Sequence, residues 1–195
     1  MKLVDFIYEK HSVLTKEQCE DLINIFEDNV KYTVDGVIGS GVNKSVKEST
    51  DFHFSTETLP IVQRIYGERI PDMLDAVMVE MYKYMDQFPI FEMTTITFDP
   101  FNLQKYNPGE GFHQWHYEST EEKIRLFVWM IYLNDVPDGG TKFMMQERTV
   151  KAEQGKLVFF PADWTYTHKG EVSDTTTKYI LTGWISLVDS HGKNY

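Results

Sequence analysis

The segment "IRLFVWMIYLN", Ile124 to Asn134, constrains this chain more than any other. Its apolar residues occupy odd and even positions alike. Side chains alternate across a strand, so such a strand buries both faces. One face needs cover and the other needs something to enclose.

The segments "FEMTTITF", "GGTKFMM", "GKLVFFP" and "TKYILTGWISL" share its β-branched and aromatic texture. Turn chemistry such as "VPDGG" and "PAD" separates them. Helical patterns come first. Thr15 and Gln18 form a capping box, with Leu14 and Cys19 at the staple positions, and Leu22, Ile23 and Phe26 follow at helical spacing. A helix over 16–29 is predicted. Residues 57–87 read as helical with a break near "YGERIP"; Ile70, Met73, Leu74 and Val77 share a face that Met81 and Tyr82 continue. The stretch 34–45, "VDGVIGSGVNKS", reads as a loop and lacks the ending of a phosphate-binding loop. Helices first and many short strands after, with no βαβ alternation, predict an α+β fold. It is a sandwich or jelly roll with helices packed on one sheet.

The 195 residues suit one domain, 1–195, with 1–90 mainly helical and 91–187 the β core. A formal charge of −11 disfavours nonspecific nucleic-acid or anionic-membrane binding. With Cys19 alone, no internal disulfide and no cysteine-based zinc site can form. No apolar run reaches membrane-spanning length, and "MKLVDFIYEK" is too short and charged for a signal peptide. The expectation is a cytoplasmic protein; its oligomeric state is not legible.

There are six histidines. For His11, His53 and His191 the reading is a surface or hydrogen-bonded residue; His53 could also line a cavity. His116 and Glu118 differ by two and share a strand face. With a third ligand they fit the two-histidine, one-carboxylate arrangement that suits non-haem Fe(II). On that pair alone a solvated strand face is the better reading. His113 faces the other way on an ideal strand and is expected behind the ligands or on the substrate side. Trp115 is expected to face away and to pack under a helix. Lys178 shares a face with Ile180, Thr182 and Trp184. There its ammonium either snorkels to water or meets a bound anion.

The order of Tyr106, "PGEG", His116-x-Glu118, "YLN", "DGGTKF", "GKLVFFP", His168 and Lys178 resembles the 2-oxoglutarate and Fe(II)-dependent dioxygenases, within them the prolyl 4-hydroxylase-like branch. The resemblance implies a double-stranded β-helix. It implies that His116, Glu118 and His168 ligate Fe(II) and act as the catalytic centre. Lys178 would pair with the distal carboxylate of 2-oxoglutarate, Tyr132 and Thr182 would hydrogen-bond around it, Tyr106 would line the pocket and Trp184 would wall it. The family spends O2 and 2-oxoglutarate, with ascorbate in support. It couples decarboxylation to succinate with hydroxylation of a C–H bond, in some members of prolyl residues in peptides. The family's usual carboxylate is aspartate; this chain has Glu118. The implied partner is a peptide or a small-molecule substrate. The competing readings are a jelly-roll binding module with a degenerate or structural metal site, and a zinc hydrolase, which gives Lys178 no role.

Overall fold

The computed structural model describes residues 5–54, 58–67, 69–119 and 124–188. An eight-stranded antiparallel sheet forms the centre. Its order is Tyr8–Lys10, Leu157–Pro161, Arg125–Tyr132, Lys178–Leu187, Phe101–Tyr106, Thr50–Phe54 and Val34–Asp35, with Ile96–Phe98 pairing the far end of Lys178–Leu187. A smaller sheet, Arg148–Ala152, Val136–Phe143 and His168–Gly170, lies against one face. A bridge between His116 and His168 extends it. Two opposed sheets of this kind make the double-stranded β-helix.

The both-face apolar strand does what its pattern requires. Phe127, Trp129 and Ile131 enter the cluster beneath the helices, with Leu157, Phe159, Leu181 and Ile185. Val128, Met130 and Tyr132 enter a second cluster against the small sheet, with Val158 and Phe160. The two clusters lie on opposite sides of the sheet, as the alternation of Cβ directions demands. Gly183 lets the Trp129 ring lie on the neighbouring strand; a Cβ there would sit 2.7 Å from that ring.

Three helices cover the outer face. Helix α1, Lys16–Asp28, starts with the expected reciprocal cap: Gln18 N donates to Thr15 Oγ1 at 3.2 Å and Thr15 N to Gln18 Oε1 at 2.9 Å. Helices α2, Leu59–Tyr66, and α3, Arg69–Met85, meet near Gly67, whose φ of 65° suits glycine. Tyr82 is exposed, contrary to its expected place on the α3 face, and Tyr84 and Met85 take that place. Five residues on from Val77, Tyr82 is turned by about 140° at 3.6 residues per turn.

Other boundaries also differ. The region 1–90 supplies strands to the same central sheet, so helices and strands are not segregated along the chain. Residues 34–45 are not a plain loop: Val37–Ile38 and Gly41–Val42 pair as a hairpin. "FEMTTITF" is a strand only at its end, after a 3-10 turn over Pro89–Met93. "VPDGG" is strand, not turn. Its register shifts between Val136 and Thr141, and the chain reverses earlier, where Asn134 Oδ1 accepts from Tyr179 N and Asn134 Nδ2 donates to Thr177 O. Among the described residues no helix is long and apolar enough to cross a membrane.

Candidate active site

The irregular approach "YNPGEGF" delivers the chain to the inner face. Gly109 takes a φ of 87° and its N–H donates to Ser173 O. Gly111–Phe112 pairs with Lys47–Glu48, and two backbone bonds at 3.0 and 2.9 Å then tie His116 to His168. Glu118 N and Ser119 N both donate to Ala162 O. The i, i+2 relation turns His116 and Glu118 the same way, and the bridge adds His168 from the neighbouring segment.

His116 Nε2 lies 3.4 Å and His168 Nε2 3.9 Å from Glu118 Oε1, and the three potential ligand atoms fall within 4.8 Å of one another. Each imidazole is oriented in the same manner. His116 Nδ1 bonds Gln114 O, and His168 Nδ1 bonds Tyr166 O, both at 2.9 Å. A carbonyl only accepts, so each Nδ1 carries the proton and each Nε2 lone pair is free for a metal. Phe112 stacks on His116, and Phe160 meets His168 edge-on.

Protonation suits a divalent cation. Burial pushes the Glu118 carboxyl up, but its polar and cationic neighbours His116, His168 and Arg125 outweigh it and hold the group down at about 2. Burial lowers His168 to about 4; His116 adds to that and Glu118 opposes it. At neutral pH the glutamate is therefore an anion and His168 a neutral ligand. Two imidazoles and one carboxylate leave coordination positions open, the donor set expected for non-haem Fe(II). The second glutamate oxygen is occupied: Arg125 Nη1 and Trp184 Nε1 both donate to Oε2 at 3.1 Å. The longer side chain of glutamate thus presents one oxygen to the histidines while the other is gripped from behind.

Lys178 lies at another part of the same cavity, whose volume is about 710 Å³. It is buried, so the snorkelling alternative does not hold. Its Nζ donates to Gly139 O at 3.0 Å and Glu171 O at 2.8 Å and lies 5.2 Å from the Tyr106 ring centre. The glycine pair makes room, because a Cβ on Gly139 would fall 3.3 Å from Lys178 Cδ. Among the described residues no carboxylate comes within ion-pair distance of this ammonium. Burial lowers its pKa to about 8 against the opposing pull of Glu171 and Asp138. Two of its three N–H groups are used, and one is available to a ligand. Tyr132 Oη and Thr141 Oγ1 lie 2.7 Å apart and share one hydrogen, and Thr141 Oγ1 faces Met130 Sδ at 3.9 Å. Thr182 Oγ1 donates to Trp129 O, and Tyr106 Oη donates to Gln104 Oε1.

All eight expected site residues line this one cavity: Tyr106, His116, Glu118, Tyr132, His168, Lys178, Thr182 and Trp184. Trp184 does more than wall it, because its indole N–H holds Glu118. Thr141 and Arg125 were missed. Thr141 is Tyr132's hydrogen-bond partner, and Arg125 stacks on Trp184, 4.1 Å from its ring centre. The only sequence signal for Arg125 was a charge opening an apolar strand. His113 does not line the cavity; its N–H anchors the chain to Val46 O. Trp115 is not packed under a helix. It is half-exposed at the cavity, with Lys169 over its ring. His53 lines the cavity, His11 pairs with Glu153 at the surface, and His191 lies outside the described residues.

A 2-His-1-carboxylate cluster and a buried, carboxylate-free lysine in one double-stranded β-helix define a class, the Fe(II)- and 2-oxoglutarate-dependent oxygenases. Residues 101–186, which build the site, match the 2OG-Fe(II) oxygenase superfamily. Those residues thus form a 2OG-Fe(II) oxygenase domain, a dioxygenase centre using Fe(II), 2-oxoglutarate and O2, and the fold of the chain is that of prolyl hydroxylases. It is similar to the viral collagen prolyl hydroxylase of Paramecium bursaria Chlorella virus-1, solved with 2-oxoglutarate, at 18% identity and TM-score 0.69, covering 94% of this chain and 97% of that one. A Pseudomonas putida prolyl-4-hydroxylase gives 16% identity, TM-score 0.72 and 94% of each chain. A Trichoplax adhaerens prolyl hydroxylase, solved with a hypoxia inducible factor peptide fragment, gives 12% identity, TM-score 0.74, and 97% and 86% coverage. Comparison with curated proteins gives no match.

Proposed function

We propose that this enzyme hydroxylates a C–H bond of a peptide substrate, a prolyl residue being the first candidate. His116, Glu118 and His168 would hold Fe(II), and Lys178 would receive the distal carboxylate of 2-oxoglutarate. The observation that carries this reading is the buried Lys178 ammonium without a carboxylate, facing the same cavity as the metal cluster. A buried cation is costly unless an anion meets it, and a dicarboxylate spanning the cavity supplies one.

The bound iron supplies the oxidising chemistry: 2-oxoglutarate, O2 and a substrate C–H become succinate, CO2 and C–OH. The chain's own residues do the rest. The Nδ1 bonds hold both imidazoles in the ligating tautomer, and Arg125 with Trp184 fixes which glutamate oxygen faces the metal. Lys178, with its third N–H, orients the cosubstrate, and the Tyr132 and Thr141 hydroxyls line the same cavity. Phe112, Phe143 and Phe160 keep water from the histidines.

A peptide is favoured by the mouth. Val37, Trp115 and Tyr117 are exposed and line the cavity together with Ile38 and Gly39, which gives it an apolar and aromatic border. The prolyl hydroxylases of matching fold, one of them solved with a peptide, support the same class. The test is succinate release from 2-oxoglutarate with Fe(II), across prolyl peptides, other peptides and small molecules. Release raised by prolyl peptides, with a gain of one oxygen atom in the peptide by mass, is expected. Release raised by none of the peptides sinks the substrate assignment. No 2-oxoglutarate binding at all sinks the assignment of Lys178 with it.

A further inference from the structure

Beyond the metal cluster and Lys178, the inner face of the main sheet continues as a polar shelf. Asp51, His53, Asn102 and Gln104 come from two adjacent strands and line the cavity. His53 pairs in register with Asn102, and Asn102 with Thr182. At one strand spacing each, Asn102 and His53 stand about 5 and 10 Å from the strand of Thr182 and Trp184. The shelf therefore lies where a substrate would extend away from its reacting carbon.

Asp51 and Gln104 are engaged with the protein. Asp51 accepts from Lys47 Nζ at 2.7 Å, Ser49 Oγ at 2.8 Å and Gln104 Nε2 at 3.3 Å, while Gln104 Oε1 accepts from Tyr106 Oη. His53 and Asn102 are only half engaged. His53 Nδ1 and Asn102 Oδ1 lie 2.5 Å apart. An amide oxygen only accepts, so Nδ1 carries the proton and Nε2 is an acceptor. Asn102 is 9% exposed. Among the described residues neither its Nδ2 nor His53 Nε2 has a protein partner. Asn102 is nearly buried as a residue, and its amide nitrogen keeps its N–H groups open to the cavity, where water or a ligand can take them.

A donor and an acceptor from adjacent strands of one cavity wall complement an amide, whose C=O accepts and whose N–H donates. We propose that His53 and Asn102 form an amide-recognition subsite for the substrate, Asn102 Nδ2 donating to the amide oxygen and His53 Nε2 accepting from the amide nitrogen. The complement survives rotation of the Asn102 amide. Nδ2 then donates to His53 Nδ1, His53 Nε2–H becomes the donor and Asn102 Oδ1 the acceptor. This rests on the reading of the cavity as the substrate site and narrows the substrate to one carrying an amide beside its hydroxylated carbon. A carboxamide side chain presents its C=O and one N–H along one edge and a trans peptide unit presents them on opposite edges, so the two sources would meet the pair in different poses.

The experiment is an NMR titration of ¹⁵N-labelled full-length protein loaded with 2-oxoglutarate and Zn(II). Three probes are compared: N-methylacetamide for a backbone amide, propionamide for a side-chain amide, and methyl acetate, which has a carbonyl but no N–H. The reporters are the Asn102 side-chain NH2 pair, identified by its loss in Asn102→Asp, and the His53 ring nitrogens. The expected result is saturable shifts at both residues, with an amide dissociation constant at least tenfold below that of the ester; the tighter amide identifies the source. His53→Phe should erase the amide–ester difference. Unmoved Asn102 resonances, or equal constants for amide and ester, overturn the subsite. Failure to load 2-oxoglutarate counts against the proposed cosubstrate site instead, and the same titration of the unloaded protein then still decides the subsite.

Discussion

The two faces of the central sheet come from the same strands and bury opposite chemistry. On the outer face Phe127, Trp129, Ile131, Phe159 and Leu181 meet helices, and nearly everything enclosed is hydrocarbon. On the inner face the neighbouring residues of those strands give way to Lys178, Thr182 and Asn102 around a cavity that His168 lines from the small sheet. The outer face supplies stability, and the inner face spends some of it. The buried lysines show where. Lys47 meets Asp51 at 2.7 Å and Lys156 meets Glu9 and Glu153 at 3.2 Å, but among the described residues Lys178 hydrogen-bonds only to carbonyls. Among these three buried lysines, the one that meets no carboxylate marks the place where the fold expects an anion from outside.

The sharpest way to break this comparison is a charge on each face. Phe127→Asp places an unpaired carboxylate under the helices and should cost about 3 kcal/mol or more, enough to threaten the fold. Val128→Asp, one residue on, opens onto the cavity and can reach water, so it should cost distinctly less. Urea unfolding of both variants decides; equal losses would erase the distinction between the faces.

Next in size is the metal. His168→Ala leaves two ligands and should weaken Mn(II) binding by about a hundredfold or more, roughly 3 kcal/mol. Apo stability should change far less than in Phe127→Asp. Calorimetric titration with Mn(II) measures it, and undiminished affinity would remove His168 from the cluster.

Lys178→Met should move function and stability in opposite directions. Loss of the charge-assisted hydrogen bond, about 1.5–3 kcal/mol, should raise the 2-oxoglutarate dissociation constant about tenfold to a hundredfold. Without ligand, removal of an uncompensated buried charge should raise stability at pH 7 by about 1–3 kcal/mol. A variant that binds 2-oxoglutarate as wild type does, or is less stable, contradicts the inner-face account.

The smallest effect is in pH. The lysine falls from 10.5 to about 8 on burial. Between those values the folded protein binds fewer protons than the unfolded chain, so this group's penalty is full below about pH 8 and fades as pH rises toward 10.5. The cosubstrate dianion needs the ammonium. Its affinity should therefore be flat up to about pH 8 and then fall by up to about tenfold per pH unit. The profile of Lys178→Met should lack that fall, measured with Mn(II) present and oxygen excluded.

Periodicity made much of this legible. The alternation in "FVWMIY" assigned each side chain to a face, and the i, i+2 spacing turned His116 and Glu118 together. Thr15 and Gln18 announced the start of α1 because a cap is local chemistry. The less legible features depend on partners distant in sequence. Arg125 holds Glu118 and Trp184 holds it from 66 residues away, which no local pattern encodes. Trp115 was misplaced because the Gly109 turn and the bridge to His168, not ideal strand geometry, set its direction. Tyr82 was misplaced because a helix face turns away within five residues.

The sequence by itself determined that the chain is α+β, that its central strand is covered on both faces, and that a histidine and a glutamate project together. These follow from backbone stereochemistry and side-chain alternation, which act over a few residues. Only the tertiary structure decided that His168 completes the cluster, that Lys178 is buried without a carboxylate, and that His53 and Asn102 stand half-satisfied on the same wall. Those facts depend on strand register between segments far apart in the chain, and register is settled by which packing buries the most hydrocarbon while satisfying the backbone.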